Sequence, residues 1–176
     1  MRDEIIEDAY LACQQICRNA STTFYSSFST LGYEKRRAVH AVYALCRWVD
    51  DIVDGDEEPI VEFTEELLEQ TTQRDLFLRE LHSNSEPSNP EEVHIQRLMA
   101  LVAIRNKLQR ASLGKINEND EPVFIALQDV FERYTIRLQD FETIIEGMED
   151  DLFPVSCNTW DELRSYCYKV ASAVGL

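Results

Sequence analysis

Apolar residues recur every three or four positions along nearly the whole chain, which is the period of an α-helix with one buried face. No segment shows the strict alternation of a half-buried strand, and the chain contains only five glycines. The pattern therefore predicts an all-α protein, an irregular helical bundle. The predicted helices cover approximately residues 3–19, 24–30, 33–55, 60–81, 91–112, 122–131, 139–152 and 159–176.

Local signals set several of these boundaries. Gly55 suits the C-terminal stop of the third helix, and Pro59 suits the opening of the fourth. The stretch 83–90, SNSEPSNP, has the composition of a loop. Thr159 and Glu162 match a capping box, which predicts where the last helix begins.

The last helix has no stop signal, because its apolar pattern continues to Leu176. This favours the interpretation that residues 1–176 are the N-terminal part of a single all-α domain that is incomplete at its C-terminus. The alternative is a natural C-terminal helix. The residues that continue the pattern are Tyr166, Val170, Ala173 and Val174.

The helix over 38–54 is apolar on nearly all sides, and its polar residues fall on one face. At about 100° per residue, Tyr43, Arg47, Asp50 and Asp54 lie within an arc of about 60°. A surface helix normally shows the reverse, with a broad polar face. The pattern therefore predicts a buried helix whose polar stripe faces a polar pocket. The six polar residues are His40, Tyr43, Arg47, Asp50, Asp51 and Asp54.

The stripe carries candidate metal chemistry. Asp50 and Asp54 are neighbours on the helix surface, and paired carboxylates suit Mg²⁺, which also takes water and substrate phosphate oxygens. Arg47, one turn earlier, can make a bidentate contact to a phosphate, and Tyr43 adds a hydroxyl. The alternative is a solvated acidic patch at a helix end, continued by the acids after Gly55.

Other clusters are weaker candidates. Glu146 and Asp150 repeat the four-residue spacing, but such a cluster is more often a surface helix end. Cys13 and Cys17 are one turn apart and are interpreted as core thiols, with a shared metal as the alternative. The histidines show no metal-ligand spacing: His40 borders the stripe, and we expect the other two, His82 and His94, to be exposed.

Charge limits the partners and the location. A net charge of −16 argues against nucleic acid and anionic membranes, although a metal-bound phosphorylated substrate remains compatible. The acidic N-terminus does not resemble a signal peptide, and no apolar run is long enough to span a bilayer. We expect a cytoplasmic protein. Transient contact with a membrane, through which the protein would collect an apolar substrate, is left open. The sequence does not predict an oligomeric state.

Four blocks, taken together and in order, resemble the squalene/phytoene synthases, which join two isoprenoid diphosphates head to head. The first, Ser21-Thr22-Thr23-Phe24, resembles the family's early diphosphate motif. The second, Ala38 to Arg47 followed by Asp50-Asp51-Ile52-Val53-Asp54, resembles its first aspartate-rich helix. The third, 145–152, resembles its GMxxDL segment, and the fourth, 166–175, its YCYxVAGxVG helix. The resemblance covers most of the chain and is weakest between Pro59 and Asp120.

The resemblance implies an isoprenoid-synthase-type helical bundle around an apolar cavity. Asp50 and Asp54 would bind Mg²⁺, and Tyr43, Arg47, Ser21, Thr22 and Thr23 would contact diphosphate. Phe24, Tyr166 and Val170 would line the cavity. The implied prenyltransferase reaction ionises one prenyl diphosphate and passes through a cyclopropylcarbinyl diphosphate to dehydrosqualene or phytoene in carotenoid biosynthesis. Farnesyl diphosphate is favoured slightly over the geranylgeranyl form.

The resemblance also sets limits and leaves alternatives. The family's second aspartate-rich helix would lie beyond Gly175, so we expect the 176-residue chain alone to be inactive. One alternative is a non-catalytic helical interaction module derived from the same family. Another is a Mg²⁺-dependent all-α nucleotide pyrophosphatase, which also uses paired acids on helices.

Overall fold

The structure, a computed structural model, describes residues 2–56, 63–82, 85–154 and 157–169. Within these ranges all regular structure is helical, which confirms the all-α prediction. The helices are α1 (Arg2–Ala20), α2 (Thr22–Phe28), α3 (Tyr33–Asp54), α4 (Glu65–Leu81), α5 (Glu91–Ser112), α6 (Pro122–Arg133), α7 (Leu138–Asp150) and α8 (Trp160–Cys167).

Most predicted boundaries agree with the structure to within a few residues, and α5 agrees at both ends. The start of α4 is wrong, because residues 63 and 64 are not helical and the helix begins at Glu65. Thr64 is the N-cap, and its side chain accepts a hydrogen bond from the Leu67 amide at 3.1 Å. This hydroxyl cap, rather than Pro59, sets where the helix begins.

The last helix begins as predicted. Thr159 and Glu162 form both hydrogen bonds of a capping box, so this part of the prediction is confirmed. The α-helix ends at Cys167 and widens into a π-type turn at 168–169. The predicted continuation to Leu176, including Val170, lies outside the described residues.

The chain forms two compact units, each with its own core. The first comprises residues 1–48 and 107–138, and in it α1 packs against α6 and α2. Its core includes Cys13 and Cys17, both fully buried, which confirms their interpretation as core thiols. Burial raises the pKa of the Cys13 thiol to about 12, so this thiol stays protonated and uncharged. The prediction of a single domain over 1–176 stays a prediction.

The second unit comprises residues 49–106 and 139–176 and brings together the end of α3 with α4, most of α5, α7 and α8. Its core is built mainly from aliphatic side chains on α4, α5 and α7. The fully buried members include Ile52, Leu78, Leu98, Leu101, Ile145, Leu152 and Phe153. In the described part of the chain, no helix combines the length and the hydropathy that a bilayer span requires.

Candidate functional site

The polar stripe of α3 lies on the less buried side of the helix. Tyr43, Arg47 and Asp50 are half-buried, and Asp54 is exposed. The fully buried residues lie opposite, so the prediction of a buried helix whose stripe faces a pocket inside the fold is wrong at Asp54, which is exposed. One apolar face packs in the cores and the stripe stays accessible. The buried residues opposite the stripe are Ala41, Ala44, Leu45, Val49 and Ile52.

Helix α3 ends at the predicted glycine. Gly55 has φ of 85°, a left-handed conformation that glycine adopts without steric cost. The Asp51 carbonyl accepts hydrogen bonds from the amides of Gly55 (3.1 Å) and Asp56 (2.9 Å). Arg97 on α5 donates from Nη1 to the Val53 carbonyl at 2.6 Å. The last turn of the helix, which carries Asp54, is therefore held both by its own backbone and by an arginine.

An aromatic cluster lies beside the first residue of the stripe. The ring of Tyr43 lies 5.6 Å from that of Phe24 and 6.0 Å from that of Phe28. Phe24 remains 54% exposed despite these contacts, so it leaves an accessible apolar face next to the Tyr43 hydroxyl. The structure thus brings together Phe24 and Tyr43, which the sequence assigned to the cavity and to diphosphate contact.

The hydroxyl segment before α2 has a local structural role. Ser21 is the N-cap, and its Oγ accepts a hydrogen bond from the Phe24 amide at 3.2 Å. Its hydroxyl hydrogen is not used in that bond. Thr22 and Thr23 are exposed in the first turn of α2. These residues keep donors that a phosphate could accept, and their assignment as diphosphate contacts stays a prediction.

The second acidic cluster lies close enough to Asp54 to feel its charge. Burial, and then the charges of Asp150 and Asp54, raise the pKa of Asp151, whereas a hydrogen bond from the Tyr166 hydroxyl lowers it. That hydroxyl donates to Asp151 Oδ1 at 2.8 Å. The end of α3 and the end of α7 therefore place carboxylates in one electrostatic neighbourhood, which the sequence spacing alone did not predict.

Two nitrogen-bearing side chains contact Asp150 in this cluster. Lys169 Nζ donates to Asp150 Oδ2 at 2.7 Å, and His82 Nε2 lies 3.2 Å from Asp150 Oδ1. The His82 ring also stacks on Phe153, with centroids 4.6 Å apart. Tyr166, assigned to the cavity by sequence, is half-buried and directed at Asp151, while Val170 lies outside the described residues.

A buried carboxylate fixes the end of α7. Glu149 is fully buried and accepts hydrogen bonds from two arginines, Arg74 on α4 and Arg105 on α5. Arg74 Nε lies 3.0 Å and Arg105 Nη2 lies 2.8 Å from Glu149 Oε2. The residue immediately before Asp150 and Asp151 is thus clamped to two neighbouring helices.

The expected exposure of two histidines is wrong. His94 is fully buried, and its Nε2 lies 2.7 Å from Asp75 Oδ1. The side chain of His82 is only 20% exposed because it packs on Phe153. His94 lies within α5 and His82 is the C-cap of α4, and the polar partner of each comes from another helix.

The donor set of the α3 stripe fits Mg²⁺ in chemical terms. Asp50 and Asp54 offer carboxylate oxygens on successive turns, and Asp54 adds to a negative field that already disfavours ionised Asp151. Among the described residues, no group of three or more His, Cys, Asp or Glu side chains is arranged to hold a metal. Mg²⁺ commonly uses one or two protein carboxylates and completes its coordination with water and substrate oxygens.

Several residues of this region were not identified from the sequence. They lie on α4, on α5, on α7 and just after α8, and three of the five fall in the part of the chain where the family resemblance is weakest. The available signal was the placement of basic side chains on the core-facing side of α5: His94, Arg97 and Arg105 share a face with Leu98 and Leu101. The residues missed by sequence are Arg74, Arg97, Arg105, Glu149 and Lys169.

Comparison with known proteins gives consistent results in sequence and structure. The sequence profile described as "Squalene/phytoene synthase" matches residues 17–176. A phytoene synthase of Mycobacterium tuberculosis is 30% identical over 170 residues, covering 97% of this chain and 43% of its own length. A 15-cis-phytoene synthase of Synechococcus elongatus is 28% identical over 171 residues, with the same coverage.

The fold is also similar to that of a solved enzyme. The crystal structure of a dehydrosqualene synthase in complex with ligand aligns with a TM-score of 0.70 at 26% identity, covering all of this chain and 48% of its own. The chain thus spans less than half the length of each of these relatives. Because the family profile matches nearly the whole chain and the helical fold agrees, the chain belongs to the squalene/phytoene synthase family.

Proposed function

We propose that this chain supplies the first aspartate-rich wall of an enzyme that joins two prenyl diphosphates head to head to give dehydrosqualene or phytoene. The observation that carries the proposal is the stripe on α3, in which Asp50 and Asp54 follow Arg47 and Tyr43 on one accessible face. Family membership supports the same reaction class, since the relatives named above are phytoene and dehydrosqualene synthases.

In this proposal each residue of the stripe has a different role. Asp50 and Asp54 hold Mg²⁺, which when bound supplies Lewis-acid stabilisation of the departing diphosphate. Arg47 binds phosphate oxygens through its planar pair of N–H donors. Tyr43 donates its hydroxyl to the diphosphate, and the exposed ring of Phe24 beside it contacts the first carbons of the prenyl chain.

The acids at the end of α7 have a supporting role. Asp151, held by Tyr166, strengthens the negative field around Asp54 and so favours a divalent cation there. Asp150 is already paired with Lys169 and His82, and we assign it no metal contact. The buried anchor Glu149 keeps both residues in place.

The proposal is tested by equilibrium binding of farnesyl thiodiphosphate, a slowly reacting substrate analogue, to the purified chain with and without Mg²⁺. We expect binding to require Mg²⁺, and Asp50→Asn and Asp54→Asn each to weaken it about tenfold or more, the loss of one charged ligand contact. Asp56→Asn is the matched control, because it removes the same charge two residues beyond the stripe.

Two results would contradict the proposal. Binding that is equally strong without Mg²⁺ would show that the stripe does not act through a metal ion. No binding at all would favour a non-catalytic interaction module. The geranylgeranyl analogue, measured in parallel, tests chain length: we propose tighter binding of the farnesyl form, on the resemblance to bacterial C30 enzymes.

A further inference from the structure

Arg97 makes an unusual contact for a half-buried arginine. Its Nη1 donates to the Val53 backbone carbonyl at 2.6 Å, and no acidic side chain among the described residues pairs with its guanidinium. Its Nη2 occupies the space above Gly55 where a side chain would begin, so a Cβ at residue 55 would collide with it. The arginine therefore lies directly on the backbone that flanks Asp54.

This contact completes the hydrogen bonding at the end of α3. The last four carbonyls of an α-helix have no donor within the helix. The Asp51 carbonyl accepts hydrogen bonds from the amides of Gly55 and Asp56, and the Val53 carbonyl accepts one from Arg97. Hydrogen bonds from the backbone at the glycine stop and from an arginine side chain on α5 therefore both hold the turn that carries Asp54.

The charge of Arg97 has a second effect. The C-terminal end of a helix carries a partial negative charge, which acidic side chains in the last turn make less favourable. This helix ends with the acids Asp50, Asp51 and Asp54, and Asp56 follows directly after its glycine stop. A guanidinium on the Val53 carbonyl offsets both contributions, so Arg97 favours a regular last turn despite the acidic sequence.

We infer that Arg97 is a positioning residue for Asp54: it holds the last turn of α3 so that the Asp54 carboxylate stays one turn beyond that of Asp50. This inference rests on the proposed function, because the register of the two carboxylates matters only if they bind one cation. Gly55 belongs to the same device, because a Cβ at residue 55 would displace the guanidinium from its present position.

The test uses Mn²⁺ as a paramagnetic substitute for Mg²⁺, with free Mn²⁺ measured by electron paramagnetic resonance in the presence of inorganic pyrophosphate. We expect Arg97→Met to weaken Mn²⁺ binding about tenfold, and Arg97→Lys, which can still donate to the Val53 carbonyl, to restore most of it. Arg110→Met is the control: it removes the same charge from the same helix, where the partner is Asp120.

A substitution at Gly55 disturbs the contact of Arg97 with the end of α3 in a second, independent way. Gly55→Asn tolerates the positive φ better than most residues but adds the Cβ that displaces Arg97. We expect it to weaken Mn²⁺ binding as Arg97→Met does, and the double variant to be no weaker than either single variant. Such coupling is the signature of two residues acting through one contact. Fully additive losses would overturn the inference.

The outcomes separate this inference from the proposed function. If the unmodified chain binds Mn²⁺, Asp54→Asn abolishes binding and Arg97→Met leaves it unchanged, the positioning role is wrong and the metal site stands. If the unmodified chain does not bind Mn²⁺, both fail together. Hydrogen exchange at residues 50–56 gives a second measurement: faster exchange in Arg97→Met than in Arg110→Met is expected, and equal rates would contradict the capping role.

Discussion

Tyr10 shows how single residues hold the first unit together. Its hydroxyl donates to Asp129 Oδ2 at 2.8 Å, and both side chains are buried. Arg133 Nε contacts the same carboxylate oxygen at 2.8 Å, and Arg37 lies over the Tyr10 ring, 4.4 Å from its centroid. Burial, and then the hydrogen bond to Asp129, raise the pKa of Tyr10, so the phenol remains a donor at any physiological pH.

This contact predicts a graded loss of stability. Tyr10→Phe removes one donor and leaves Asp129 with Arg133, so we expect a loss of about 1–2 kcal/mol. Asp129→Ala leaves the buried Tyr10 hydroxyl without its acceptor and removes a partner of Arg133, so it should cost more, about 2–3 kcal/mol. Urea unfolding followed by Trp48 fluorescence in a Trp160→Phe background measures both. Equal stability of Tyr10→Phe and its parent would contradict the assignment.

At the scale of elements, α5 organises the second unit through its polar side chains. His94 contacts Asp75 on α4, Arg97 contacts the end of α3, and Arg105 contacts Glu149 on α7. These three residues lie on the same side of the helix as its buried leucines. Helix α5 therefore connects three other elements through hydrogen bonds as well as through apolar packing.

The clamp on Glu149 predicts a large effect of one substitution. Glu149→Ala leaves Arg74 and Arg105 without their shared carboxylate, and we expect a loss of about 3–5 kcal/mol in unfolding free energy. Glu146→Ala, one turn earlier on α7 and half-buried, is the control and should cost less than about 1 kcal/mol. Urea unfolding by circular dichroism measures the pair, and similar losses would show that the clamp contributes little.

The sequence predicted those elements whose boundaries depend on local signals. Gly55 and the Thr159 capping box each act within one turn, so their effects can be recognised from neighbouring residues alone. The start of α4 was wrong because two local signals compete there, and the Thr64 cap prevails. The stripe of α3 was predicted because its residues share one helix, and its metal and diphosphate roles stay predictions.

The supporting contacts could not be predicted in this way. The pairing of Glu149 with Arg74 joins residues far apart in sequence, and the proximity of Asp151 to Asp54 depends on how two helices end. A helical pattern identifies which face of each helix is apolar, but not which polar side chain of another helix meets it. The basic residues of α5 share a face with its leucines, which the sequence allows one to see, but their partners on other helices are visible only in the packed structure.

At the scale of the whole molecule, acidic residues outnumber basic ones by nearly two to one, for a net charge of −16. Many of the basic side chains are already engaged with acids, so the surplus negative charge repels itself across the surface. In the described part of the chain, the arginines that contact acidic side chains include Arg37, Arg74, Arg79, Arg105 and Arg133.

This surplus predicts a dependence of stability on salt. Raising NaCl from low to near-physiological concentration shortens the screening length to about 8 Å and should raise the melting temperature by about 3 °C. MgCl₂ at equal ionic strength should add a further increase that the double variant Asp50→Asn, Asp54→Asn lacks. Differential scanning fluorimetry provides the measurement, and the same melting temperature in both salts would argue against a specific magnesium contribution.

The close approach of Arg97 to Gly55 also constrains how this protein can diverge. A side chain at position 55 would displace the guanidinium of Arg97, and the φ of 85° at that position favours glycine as well. Substitutions at these two positions should therefore be inherited together, although neither residue belongs to the motifs that define the family. We therefore expect position 97, in the segment where the resemblance is weakest, to vary together with position 55, which directly follows the aspartate-rich block.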